Sequence, residues 1–156
     1  MKINKILFAA VLFLSITSSI QAQSIEEIVK EWERAKAYSK EYLDAMPESG
    51  YTLKPTPEMR SFAEQMLHLT DTDYAFIASA TGQTPSVKDL EKTSTDKSKA
   101  NVTKLTLDGY DFVINSIKKL NAVDLQTQIK LFGRFDLSKG TTIQKAFEHQ
   151  THQRGQ

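Results

Sequence analysis

Thr141-Thr142-Ile143-Gln144-Lys145-Ala146-Phe147-Glu148-His149-Gln150-Thr151-His152-Gln153-Arg154-Gly155-Gln156 closes the chain. Ile143, Ala146 and Phe147 recur at helical spacing, so this stretch reads as a helix with one apolar side turned to a core. Gly140, Thr141 and Thr142 open it, with Thr141 as the cap. The same helix carries two of the three histidines of the chain, His149 and His152. The chain stops at Gln156, so His152 and Gln153 fall in the final turn, where fraying is expected.

Working back from that helix, the pattern repeats. A helix from Ser98 to about Leu120 presents Val102, Leu105, Leu107 or Tyr110, Val113, Ile114 and Ile117, with Gly109 as a cost. Residues 121–140 are less regular, and Ile129, Leu131 and Phe132 with Gly133 allow a short extended piece. Residues 83–97 read as a loop with at most a helical turn around Val87–Lys92. Upstream, Thr56 followed by Pro57 and Glu58 reads as an N-cap with proline at the first helical position. That helix would present Phe62, Met66, Leu69, Phe76, Ile77 and Ala80 and close at Gly82. The first helix is capped by Ser24, carries Glu26 and Glu27 in its first turn, and ends near Met46 before Pro47. Its stripe is Ile25, Ile28, Val29, Trp32, Ala35, Tyr38, Tyr42 and Leu43. Amphipathic stripes without a convincing strand imply an all-α fold, a four-helix bundle. The first two loops allow antiparallel neighbours, and the longer third allows a crossover.

The 156 residues suit one domain with a sizeable core. With 40% hydrophobic and 25% charged residues, the composition is that of a folded globule. A formal net charge of +1 gives no electrostatic case for a nucleic-acid partner. The absence of cysteine excludes a cysteine nucleophile, thiolate ligands and an acylated lipoprotein.

Residues 1–22 differ in kind. Lys2 and Lys5 precede an apolar run from Ile6 to Ile16, followed by Thr17, Ser18, Ser19 and Ile20-Gln21-Ala22. This is the layout of a secretory signal peptide, cut after Ala22. The run is short for a permanent span, so no stable membrane anchor is expected after cleavage. The mature chain, 23–156, would then be periplasmic or otherwise extracytoplasmic, with 18 basic and 19 acidic residues.

All three histidines lie on two helices. His68 sits off the apolar face of the second helix, on its border with Ser61, Glu64, Gln65 and Thr72. On the last helix His149 can share a face with His152 at i+3 or with Gln153 at i+4. Two imidazoles from that helix and one from a facing helix would give three nitrogen ligands and leave a fourth position open, as catalytic divalent sites require. Exposed or hydrogen-bonded histidines are the plainer reading of the same pattern. Glu64, Asp71, Asp73 and Glu148 could supply an acid nearby, or be solvated face residues. No Ser/His/Asp signature, P-loop or glycine-rich phosphate loop is present.

The run His149-Gln-Thr-His-Gln-Arg-Gly-Gln156 resembles the last-helix signature of the DinB-like (YfiT-like) superfamily, in which a histidine pair four apart precedes Arg-Gly-Gln or Arg-Gly-Asn. Thr56-Pro-Glu-Met-Arg-Ser-Phe62 with His68 downstream is similar to the element that supplies the first histidine of the family. Ile129-Lys-Leu-Phe-Gly133 also matches its pattern. The resemblance implies a four-helix bundle with a divalent metal, zinc or nickel, on three histidines. Some such proteins are metal-dependent transferases that use small thiols. His68 matches the first ligand and His149 the second, while the third position falls on Gln153, with His152 beside it. Arg154 matches the arginine of the family and is expected to pair with a carboxylate, and Gly155 to let helices approach. The resulting expectation is an exported, metal-dependent enzyme, transferase-like or hydrolase-like, acting on a small molecule. The alternative is a non-catalytic binding or scaffold bundle with a degenerate site. Either is a monomer or homodimer.

Overall fold

The computed structural model describes residues 24–156; the expected signal peptide, 1–22, lies outside them. Four long helices form the bundle: α1 (Ile25–Ala45), α2 (Phe62–Thr81), α4 (Lys99–Ile117) and α6 (Lys139–Arg154). Short pieces join them: a 3₁₀ turn at Glu48–Gly50, α3 (Leu90–Thr93), α5 (Ala122–Gln126), and strands β1 (Gln128–Leu131) and β2 (Phe135–Ser138). No described helix is long and apolar enough to cross a membrane.

Local chemistry sets the helix starts. Ser24 caps α1 and Glu27 returns a bond to the Ser24 N–H, a reciprocal capping box. The same device starts α2 at Ser61 and Glu64, five residues later than the expected cap at Thr56. A Ser-x-x-Glu box satisfies two end groups, where proline at the first position merely lacks one. Likewise α6 is capped by Ser138, not Thr141. The expected extended piece is a full antiparallel hairpin, with Gln128 opposite Ser138 and Leu131 opposite Phe135. Its turn holds Phe132 and Gly133 at φ of 52° and 70°.

Cross-helix contacts give the helix directions. Lys36 meets Asp111 at 2.6 Å and Lys118 meets Glu33 at 3.1 Å, so α1 and α4 are antiparallel. Trp32 packs on Phe147, and Arg154 reaches Ala35 and Ser39, so α1 and α6 run parallel. Thr70 lies against Gly109, and Tyr74 stacks edge-on against Phe112, so α2 and α4 are also parallel. The order is therefore up-down-down-up. Residues 82–98 join the parallel neighbours α2 and α4 and so make the crossover expected of the third loop, and the segment with the hairpin joins the antiparallel α4 and α6 across the bundle.

Trp32, Leu43, Met66, Leu67, Ile77, Tyr110, Ile117 and Ile143 fill the centre. On α4 it is Tyr110, not Leu107, that is buried. Gly109 is the close-approach glycine of the bundle. A Cβ there would stand 2.5 Å from Thr70 Cγ2, and the Thr70 hydroxyl is pinned by a 2.9 Å bond to the Met66 carbonyl. Gly155, given that role from the sequence, meets only carbonyls of its own helix. Gly109→Ala is expected to lose about 1–3 kcal/mol by overpacking despite better helix propensity. Urea unfolding would measure the loss, and adding Thr70→Ser, which deletes the clashing methyl, should recover most of it.

Candidate functional site

The antiparallel α2–α6 pair brings His68 and His149 together, with ring centroids 5.7 Å apart. Two imidazoles on one ion, with metal–nitrogen bonds of about 2.1 Å, place their centroids roughly 5–6 Å apart. Gln153 reaches the same spot, its side-chain amide 3.2 Å from His149 Nε2. His152 does not. It is exposed and turns to Gln156 Nε2, 2.7 Å away. Among the described residues, no three His, Cys, Asp or Glu side chains are grouped to hold a metal ion. The cluster is two imidazoles and an amide.

Hydrogen bonds set the proton positions on both rings. His68 Nδ1 lies 3.0 Å from a Glu91 carboxylate oxygen, which can only accept, so Nδ1 carries the proton. Nε2 of a neutral His68 is then a bare lone pair. Arg60 also binds Glu91, at 2.6 Å. Burial pushes the Glu91 carboxyl up, but Arg60 and His68 outweigh it and hold it below its ordinary value. Asp71 in turn accepts from the Leu90 and Glu91 N–H groups at 2.8 and 2.9 Å and fixes the α3 turn that carries Glu91.

On the other ring, Gln65 decides. Its Nε2 donates to the Gln153 backbone carbonyl at 3.0 Å and also to Gln153 Oε1. A backbone carbonyl cannot be anything but an acceptor, so the Gln65 amide is oriented NH2-first. Gln153 must then face it with oxygen and offer its own NH2 to His149 Nε2. His149 is the Nδ1–H tautomer, with its Nε2 lone pair aimed at Gln153. Its Nδ1 is buried and has no partner. Burial, with the neighbouring His68 and His152, holds His149 below the usual imidazole range.

A model of the DinB superfamily matches residues 24–156. The chain belongs to the DinB superfamily. Two solved DinB-like proteins share its fold. One, from Bacillus cereus ATCC 10987, has a TM-score of 0.70 at 20% identity, over 85% of this chain and 87% of that one. The other, YjoA from Bacillus subtilis, has a TM-score of 0.66 at 19% identity, over 83% and 85%. A search of curated proteins found no match.

Within this DinB fold, the acids suggested by the sequence go elsewhere. Glu64 caps α2 and binds Lys54, Glu148 pairs with Lys145 on the surface, and Asp73 is buried in the core. Glu91 is the acid at the histidines. It lies 23 positions from His68 in a polar connection, where no spacing rule signals it. Gln65 and Gln156 are also at the site: for Gln156 a signal exists, since His149 and His152 are each followed by glutamine four residues on, whereas no spacing singles out Gln65 among the border residues of its helix. Next to the cluster a cavity of about 900 Å3 opens between the 46–61 connection, α2 and the end of α6. Gln65, Glu91, Gln153, Arg60 and Met66 are among its lining.

Proposed function

We propose that this protein acts outside the inner membrane as a divalent-metal-dependent enzyme on a small molecule, with the metal, zinc or nickel, held by His68 Nε2 and His149 Nε2. The observation that supports this best is the matched tautomer of the two rings: both carry the proton on Nδ1, and 5.7 Å separates their centroids. Imidazole nitrogens of this kind suit both metals. Gln153 is the weak member and would complete the set only by turning its amide oxygen inward. When bound, a divalent ion supplies Lewis acidity and lowers the pKa of a nucleophile. The chain itself supplies position: Glu91 holds the His68 ring, and the ~900 Å3 cavity, of the size of small-molecule sites, receives the substrate beside it. Transferase-like and hydrolase-like chemistry both fit such a site.

A second reading, a binding or scaffold bundle without metal, is favoured by one contact. The Gln153 NH2 group occupies the His149 lone pair that a metal would need. Metal content of tag-free protein isolated from the exported fraction separates the two. Close to one zinc or nickel per chain supports the enzyme; none, with no uptake on addition, supports the metal-free bundle.

Glu91 gives a further prediction. An outer carboxylate that orients a ligating histidine is worth about 10–100-fold in metal affinity. Glu91→Gln, which can present an N–H to Nδ1, is expected to weaken zinc binding by that factor in a competition titration and to leave secondary structure unchanged. Unchanged affinity would remove Glu91 from the site.

A further inference from the structure

The end of the bundle holds an amide relay that the metal reading does not require. Gln65 is only 8% exposed, and its Nε2 faces three oxygens: the Gln153 carbonyl, Gln153 Oε1 and Gln156 Oε1. Each of these two glutamines turns its other amide atom to the Nε2 of the histidine four residues before it. With two hydrogens the Gln65 NH2 serves the two nearer oxygens, both of Gln153, so this one side chain on α2 fixes the direction of the Gln153 amide and through it the acceptor nitrogen of His149.

For His149 this direction is imposed from outside. In the Nδ1–H form its buried Nδ1 proton has no acceptor. In the Nε2–H form the same buried position would hold a bare lone pair, the cheaper of the two to leave unpaired. The ring would therefore favour the Nε2–H form unless Gln153 presents NH2 to it. Gln153 does so because Gln65 already occupies its oxygen.

We propose that Gln65 is a positioning residue that latches the site. It holds the Gln153 oxygen away from the imidazoles and keeps His149 as the Nδ1–H tautomer, a proton acceptor at Nε2. The latch has two consequences. It keeps His149 Nε2 an acceptor, filled by the Gln153 NH2 until a ligand displaces it, and it withholds the Gln153 oxygen from the same ligand until the Gln65 bond breaks. The second consequence rests on the metal reading of the site; the first does not.

The test uses the full mature chain, freed of metal by chelator, with long-range ¹H–¹⁵N correlation of the histidine rings at a pH where they are neutral. Wild type should show His149 as a single Nδ1–H form. Gln65→Met keeps the shape and removes the donors, so the Nε2–H form should appear, bonded to a Gln153 oxygen now free to turn. Gln65→Asn, polar but a methylene too short, should do the same and serves if the methionine variant folds poorly. Zinc titration of the same samples then tests the metal reading separately. A wild-type Nε2–H tautomer, or a tautomer unchanged in both variants, overturns the proposal. If the tautomer follows Gln65 but no sample takes up zinc, the latch stands and the metal reading fails.

Discussion

Arg154→Ala is expected to cost about 3–5 kcal/mol, because several buried neutral acceptors lose their donor at about 1–3 kcal/mol each. Arg154 sits at the C-terminal end of α6 but is only 8% exposed. Its guanidinium donates to Gln150 Oε1 at 3.0 Å, to Ser39 Oγ at 3.2 Å and to the Ala35 carbonyl at 3.4 Å, and it lies 4.5 Å from the Tyr38 ring centroid. Ser39 and Gln150 are further joined through the Tyr110 hydroxyl at 2.7 and 2.9 Å. Truncation would leave this fully buried set short of its central donor. Domains of this size are stable by about 5–15 kcal/mol, so the variant should melt far below wild type or fail to accumulate. The expected carboxylate partner is close but not bonded. Asp73 is 1% exposed, and both its oxygens lack a hydrogen-bond partner. Burial raises its pKa well above the usual carboxylate value, and the nearby Arg154 opposes this only in part.

The sign for Asp73 follows. Its folded pKa exceeds the unfolded value near 3.9, so the folded state holds the proton more tightly. The stability this contributes is complete below about pH 4 and is lost as pH rises through the folded pKa. Chemical denaturation across pH should show that decline in wild type, and Asp73→Asn should flatten it. A wild-type profile that rises with pH would mean that Asp73 is ionised in the core.

Gln153→His is expected to give the largest gain. It exchanges a poor amide ligand for a third imidazole beside His68 and His149. Affinity for zinc should rise by more than the about 100-fold that a mere outer-shell partner carries. The metal-free variant should be slightly less stable, because the bonds of Gln153 to Gln65 and His149 are lost, each worth about 1 kcal/mol. With zinc at 100 times its dissociation constant, the variant should gain about 2.7 kcal/mol. The melting curves of variant and wild type should therefore change order when zinc is added. No gain in affinity would show that the two imidazoles do not share an ion.

Much of this was legible in the chain. Apolar stripes such as Ile28, Val29, Trp32 and Ala35 are locally encoded and marked the bundle, and Ser24 marked a true helix start. The start of α2 was misplaced because Thr56-Pro57 and Ser61-x-x-Glu64 are both local signals, and only their competition chose Ser61. The crossover was assigned to the wrong loop because loop length allows a path without directing it. The close approach of α2 and α4, where Gly109 meets Thr70, is a property of the pair and is not encoded in either helix alone. At the candidate site, the family resemblance pointed to His68, His149 and Gln153, which the fold brings together, while spacing alone left His152 and Gln153 as alternatives. Glu91 was not, because it reaches His68 through the Asp71-fixed turn and not along a helix face. His152 looked equivalent to Gln153 in sequence. One residue of helical rotation, about 100°, puts it on the exposed side.

The most direct test is a stoichiometric titration of chelator-stripped, tag-free protein with zinc, alongside His68→Ala, His149→Ala and His152→Ala. One ion per wild-type chain is expected, lost in the first two variants and kept in the third. No stoichiometric binding by wild type, or binding that survives loss of His68 or His149, would contradict the two-histidine site.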